Sequence, residues 1–163
     1  MGKIDIKENV QKWLISILRD PITKILVKNS HLTRAQIETL LIDILSENIA
    51  ERKLAYEEKA RLRLLKEGVS RGAFNRTLRQ ARENIIKAIY TVILLGYLGI
   101  LETPNLEPYL EIANKLRAYS DAYKDLFEKT ANPKEQIKII RILRSELEKS
   151  LNNLSKPKSL KKT

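Results

Sequence analysis

Between Gly68 and Arg82 the chain gathers side chains that bind phosphates and read base edges: Arg71, Asn75, Arg76, Arg79 and Arg82. A guanidinium presents a planar fork of donors to a phosphate or to guanine, and a carboxamide matches the adenine edge. Placed on a helix at ~100° per residue, these five residues and Gly72 fall within one arc of ~140°. Phe74, Leu78, Ala81 and Ile85 fall on the opposite side. The pattern predicts a helix with one face to bury and another to offer to the DNA major groove.

Other elements must hold that helix. Gly68 suits a positive-φ position ending a preceding helix, and the Ser70 hydroxyl can cap the next one. The preceding, positioning helix is expected over Tyr56 to Lys66, with Arg61, Arg63 and Lys66 as phosphate contacts. Upstream, Val10, Trp13, Leu14, Ile17 and Leu18 give a helix over about Asp5 to Arg19 one apolar face. Pro21 interrupts it, and Ile22 to Val27 suggest a further turn or two. Thr33 and Gln36 fit a capping box, followed by an apolar stripe of Ile37, Leu40, Leu41, Ile44 and Leu45. No Gly or Pro decides whether that helix ends near Ile49 or runs toward Lys53.

Downstream, Asn84 to Leu95 continues the recognition helix but is apolar nearly all round, which predicts burial. Gly96, Gly99 and Thr103-Pro104-Asn105 then break the chain. A fifth helix is expected over Leu106 to Lys129, with Leu110, Ala113, Leu116, Tyr123 and Phe127 on one side. A last one starts at Asn132-Pro133 and carries Ile137, Ile140, Leu143, Leu147 and Leu151. No strand-like alternation or internal repeat occurs, so the expected fold is all-α: a helix-turn-helix domain with C-terminal helices completing the bundle. The expected divisions are an N-terminal helix packed on the core (1–31), the helix-turn-helix core (32–101), a C-terminal helical pair (102–154) and a disordered basic tail (155–163).

Charge follows the same division. The net charge is +11, and residues 52–87 hold eleven Lys/Arg against four acids. The tail adds Lys156, Lys158, Lys161 and Lys162 with no acid, so the rest of the chain is balanced. A solubilising charge would be diffuse; this one sits where phosphates are expected, and the tail lysines join the phosphate-contacting set. The tail can serve equally as a solubilising end.

Gly68-Val69-Ser70-Arg71-Gly72, with Leu78, Ala81 and Arg82, resembles region 4 of bacterial sigma-70-type factors and the helix-turn-helix proteins related to it. Leu32, Thr33, Gln36, Glu38, Leu40 and Leu41 are similar to that domain's opening helix, and Tyr56-Glu57-Glu58 to its positioning helix. The resemblance covers about Leu32 to Ile85. It implies double-stranded DNA as the partner, with contacts from Arg71, Asn75, Arg76 and Arg79, in a stand-alone protein that is not itself a sigma factor. Two features depart from the pattern: the segment from Leu41 to Gly68 is longer, and Leu64 replaces a small residue.

Other chemistries find little support. Cysteine is absent and His31 is the lone histidine, which leaves no zinc set. No phosphate-cradling glycine loop, nucleophile motif or metal-ligand set appears, so neither an enzyme nor a cofactor is expected. The acidic pairs Glu57/Glu58, Glu47/Glu51 and Asp121/Asp125 sit among cations, as solvated helix faces do. Ile85 to Leu101 is short for a membrane span and contains Lys87; it reads as a core helix or a homodimer interface. RNA is disfavoured because aromatic stacking platforms are missing. Without an opening apolar run, the expected location is intracellular and cytoplasmic, nucleoid-associated in a prokaryote. The Ile-, Lys- and Glu-rich composition leans toward a thermophilic source. The expected function is a transcriptional regulator or chromosome-associated factor. The alternative is a helical adaptor or complex subunit docking an acidic partner on its basic face.

Overall fold

The computed structural model describes residues 5–100, 107–129 and six scattered positions between 134 and 145. Among them are six helices and no strand, an all-α architecture. They are α1 (Ile6–Arg19), α2 (Pro21–Asn29), α3 (Arg34–Ala50), α4 (Tyr56–Arg61), α5 (Arg71–Tyr97) and α6 (Glu107–Lys129). Of the expected last helix only those six positions are described, all of them helical and exposed, and the basic tail lies outside the described residues. The chain divides into two compact units, Met1–Ala88 and Ile89–Thr163, and the division falls within α5.

The first unit starts with two capped helices joined almost without a linker. Asp5 caps α1 by accepting from the Lys7 amide at 3.0 Å. Asp20 ends α1 and caps α2 through the Thr23 amide at 2.7 Å, with Pro21 at the first helical position, where its missing N–H costs nothing. Val10, Leu14 and Leu18, one turn apart, are buried along α1, which packs against α3. The capping box on α3 forms as expected: Thr33 accepts from the Gln36 amide at 3.2 Å, and Gln36 accepts from the Thr33 amide at 3.0 Å. That helix ends at Ala50, followed by Glu51 in the left-handed region at φ 53°.

The inward face of α3 differs from the apolar stripe expected of it. Gln36, Glu38, Thr39, Ile42 and Ser46 are buried, while Ile44 is 64% exposed. The polar residues go inside because each is satisfied there. Thr39 and Ser46 donate to the carbonyls of Ala35 and Ile42, one turn back. Gln36 is held by the capping box, and Glu38 by Arg63. A buried polar group carries a desolvation penalty only where it lacks such partners. The apolar centre of the unit joins Val10, Leu14, Ile42, Leu54, Ala60, Leu62, Phe74 and Leu78.

In the second unit α6 carries Leu110, which is exposed, Leu116, which is half-buried, and an exposed Lys115–Glu111 pair at 3.0 Å. No helix among the described residues is long and apolar enough to cross a membrane.

Candidate nucleic-acid interface

The candidate site is the N-terminal half of α5. Its entry is set by Gly68, at φ +70°, and by Ser70, whose hydroxyl accepts from the Ala73 amide at 3.2 Å. A Cβ at Gly68 would lie 2.6 Å from the Arg61 Cα and 2.7 Å from the Ala60 carbonyl oxygen. The turn therefore requires glycine for both its φ and its closeness to α4. The Val69 amide then donates to the Ala60 carbonyl at 3.0 Å, binding the start of α5 to the end of α4.

Between those two hydrogen-bonded residues the chain makes an excursion. The positioning helix expected to reach Lys66 stops at Arg61, and residues 62–67 are not helical. Long-range bonds take them out of the helix. Arg63 turns inward, its Nε donating to Glu38 at 2.8 Å and its Nη1 to the Thr39 hydroxyl at 3.0 Å. The Leu64 amide donates to the same Glu38 carboxylate, and the Gln11 side chain donates to the carbonyls of Leu62 at 3.4 Å and Arg63 at 3.1 Å. The longer segment noted in the sequence is absorbed here, leaving the two ends of the turn in contact.

Past Ser70, Phe74, Leu78 and Ala81 are buried, and the opposite arc faces out. Arg76 and Arg79 are exposed and form no ion pair among the described residues. Asn75 is half-buried beside them. Arg71 pairs with Glu57 at 2.9 Å, and Arg82 with Asp43 at 2.8 Å. These two pairs hold α5 to α4 and to α3. Both arginines remain more than half exposed. The Arg71–Glu57 pair, open to solvent on both sides, is weak enough to exchange for a phosphate, whereas the Asp43 partner of Arg82 is only 10% exposed.

Of the expected phosphate contacts, Arg61 and Lys66 are exposed. Arg63 is a correction: it is only 7% exposed and its guanidinium is occupied by Glu38 and Thr39, which takes it out of the contact set. Lys156, Lys158, Lys161 and Lys162 lie outside the described residues.

A second interior cluster also escaped the sequence. Lys59 is buried between Asp43 and Glu47, 3.1 Å from each. Burial alone would lower its pKa, but the hydrogen bonds it donates to Glu47 and Asp43 more than offset that and raise it. The same contact lowers the Glu47 pKa, helped by the Leu54 amide. On the surface beside it, Arg52 and the Ala55 amide hold the Glu58 carboxyl down to about 2. Part of the positive surplus of residues 52–87 is thus internal to the fold, while Lys53, Arg61, Lys66, Arg76 and Arg79 are exposed. A signal for the interior cluster existed: Gln36, Thr39, Asp43 and Ser46 recur at three- and four-residue steps along α3, a polar stripe overlooked beside the apolar one.

Beyond Asn84 the expectation of burial is not met. Ile86, Ile89, Tyr90, Ile93, Leu94, Tyr97 and Leu98 are between 46% and 86% exposed. His31 is exposed, and its carbonyl accepts from Asn84 Nδ2 at 3.2 Å. No group of three or more His, Cys, Asp or Glu residues able to hold a metal occurs among the described residues. No protein family, curated protein or solved structure matches this chain.

Proposed function

We propose that this chain is a double-stranded-DNA-binding protein, a transcriptional regulator or chromosome-associated factor, that inserts the first half of α5 into the major groove. The observation that carries the reading is the pair Arg76 and Arg79. They project from a helix anchored behind by Phe74 and Leu78, with no acid of the described chain neutralising them. Arg71, Asn75 and Arg82 flank them on the same arc, and Arg61 and Lys66 serve the phosphates. The resemblance of Gly68 to Arg82 to sigma region 4 supports the same placement, with contacts just after the turn. A second copy of the chain, covering the exposed apolar half of α5, is the proposed protein partner, as paired half-sites are read by two-fold dimers.

Fluorescence anisotropy with duplex DNA tests the proposal. Arg76→Ala or Arg79→Ala should cost about 1–3 kcal/mol on a preferred site and blur its selectivity, while thermal melts stay at the wild-type value. Log affinity should fall with log salt at about −0.9 per phosphate neutralised, for roughly four to seven contacts per protomer. Full affinity in a variant lacking Arg71, Arg76 and Arg79 together would remove α5 as the reader. In the adaptor reading, favoured by the exposed Tyr90, Ile93 and Tyr97, the same arc docks an acidic protein surface. Affinity for duplex DNA that is absent even at low salt would favour it.

A further inference from the structure

The excursion between α4 and α5 forms one wall of an open cleft of about 460 Å³ within the first unit. Along α1, Lys7, Gln11, Ile15 and Arg19 follow at four-residue steps and make a second wall. Arg34, the first residue of α3, and Lys66 complete the cationic lining, while Leu64 and Leu65 join Ile15 in the apolar part. No residue of the α5 arc takes part.

The lining holds four cations and no carboxylate. None of Lys7, Arg19, Arg34 and Lys66 forms an ion pair among the described residues. A lining of cations with no acid among it favours an anion as the occupant. Leu65, 53% exposed, is held toward solvent by a wall that is itself fixed: Glu38 bonds Arg63 and the Leu64 amide, and Gln11 bonds the carbonyls of Leu62 and Arg63. Cations beside a fixed apolar strip match a ligand that carries both anionic groups and an apolar part. The volume lies in the range of small-molecule sites, roughly 300–1,000 Å³.

We propose that this cleft binds a small phosphorylated ligand with an aromatic or apolar moiety, chemically a nucleotide. Lys7, Arg19, Arg34 and Lys66 neutralise its phosphates, and Ile15, Leu64 and Leu65 cover its ring. The inference does not rest on DNA binding by α5: of the residues proposed to meet DNA only Lys66 also lines the cleft, and the assay contains no DNA.

Calorimetric titration of the full chain with ATP, without magnesium or DNA, provides the test, alongside adenosine and inorganic tripolyphosphate. ATP should bind at least about tenfold tighter than tripolyphosphate, a difference of ~1.4 kcal/mol from covering the ring, and adenosine should give no measurable heat. Arg34→Ala and Lys66→Ala should each melt like wild type and weaken ATP about tenfold by removing a charge-assisted contact. Lys28→Ala removes the same charge from α2, outside the cleft, and should leave ATP binding unchanged. The proposal is overturned if ATP gives no heat, if it binds no better than tripolyphosphate, or if Lys28→Ala weakens it as much as Arg34→Ala does. Displacement of bound ATP by duplex DNA from the variant lacking Arg71, Arg76 and Arg79 also overturns it, and makes the cleft a backbone-phosphate track instead.

Discussion

From Arg71 to Ala81, α5 buries Phe74, Leu78 and Ala81 and turns its arginines outward; from Ile86 to Tyr97 the same helix turns isoleucine, leucine and tyrosine outward. The first half satisfies the ordinary rule of a surface helix, an apolar stripe inside and charge outside. The second half gives water few polar side chains, Lys87 and Thr91 among them. Large contiguous apolar surface is uncommon on a monomer and marks a place of contact. Between the halves stands Asn84, whose amide donates to the His31 carbonyl at 3.2 Å and to Gln36 Oε1 at 3.3 Å. The contrast teaches that one continuous helix carries two kinds of surface, and that side-chain burial separates them where helix length does not.

The strongest test of the contrast is stability. Phe74, with no exposed surface, should cost about 3–5 kcal/mol of unfolding free energy when replaced by alanine, measured in urea. Tyr90→Ala, at a residue 69% exposed, should stay within ~0.5 kcal/mol of wild type in dilute solution. Equal losses would mean the second half is buried in solution, and the contrast would collapse. Sedimentation of the whole chain sharpens the same point. The proposed dimer should dissociate to a folded monomer when Ile93 and Leu94 are both replaced by lysine, and a wild type that already sediments as a monomer at micromolar concentration refutes the pairing.

A smaller effect is expected at the junction. Asn84→Ala removes two long hydrogen bonds and should cost about 1 kcal/mol, read by thermal melting. The smallest concerns the support of the first half. Glu58 has its pKa lowered from 4.5 to about 2, chiefly by Arg52, so its contribution is complete above pH 4.5 and disappears as pH falls toward 2. Glu58→Gln should flatten that part of the acid-denaturation curve, only slightly because the carboxylate is open to solvent. An unchanged curve would show that the Arg52 contact does not persist in solution.

What could be read from the sequence was local. Thr33 with Gln36, Ser70 with Ala73 and the positive φ of Gly68 each depend on residues a few positions apart, and all three are present. The outward arc of α5 follows from helix periodicity alone. The end of α4 was not legible, because Leu62 to Lys66 is composed of good helix formers and is drawn out of the helix by Glu38, more than twenty residues earlier. For the same reason Arg63 looked like a surface cation. The inward face of α3 was misjudged because burial of Thr39 and Ser46 rests on hydroxyl bonds to their own helix, which hydropathy does not register. Burial of the later part of α5 was inferred from composition, and composition does not say which element supplies the cover.

Gly68 and Gly72 are four positions apart and chemically identical, yet mutational tolerance should divide them sharply. An added Cβ at Gly72 meets nothing within 4 Å. At Gly68 it strikes main-chain atoms of Ala60 and Arg61, which cannot swing aside as a side-chain tip would. In a saturation library selected for folded protein, position 72 should accept many residues and position 68 almost none. The junction leading into α5 is therefore a fixed elbow, and its rigidity comes from the residue type most often associated with looseness.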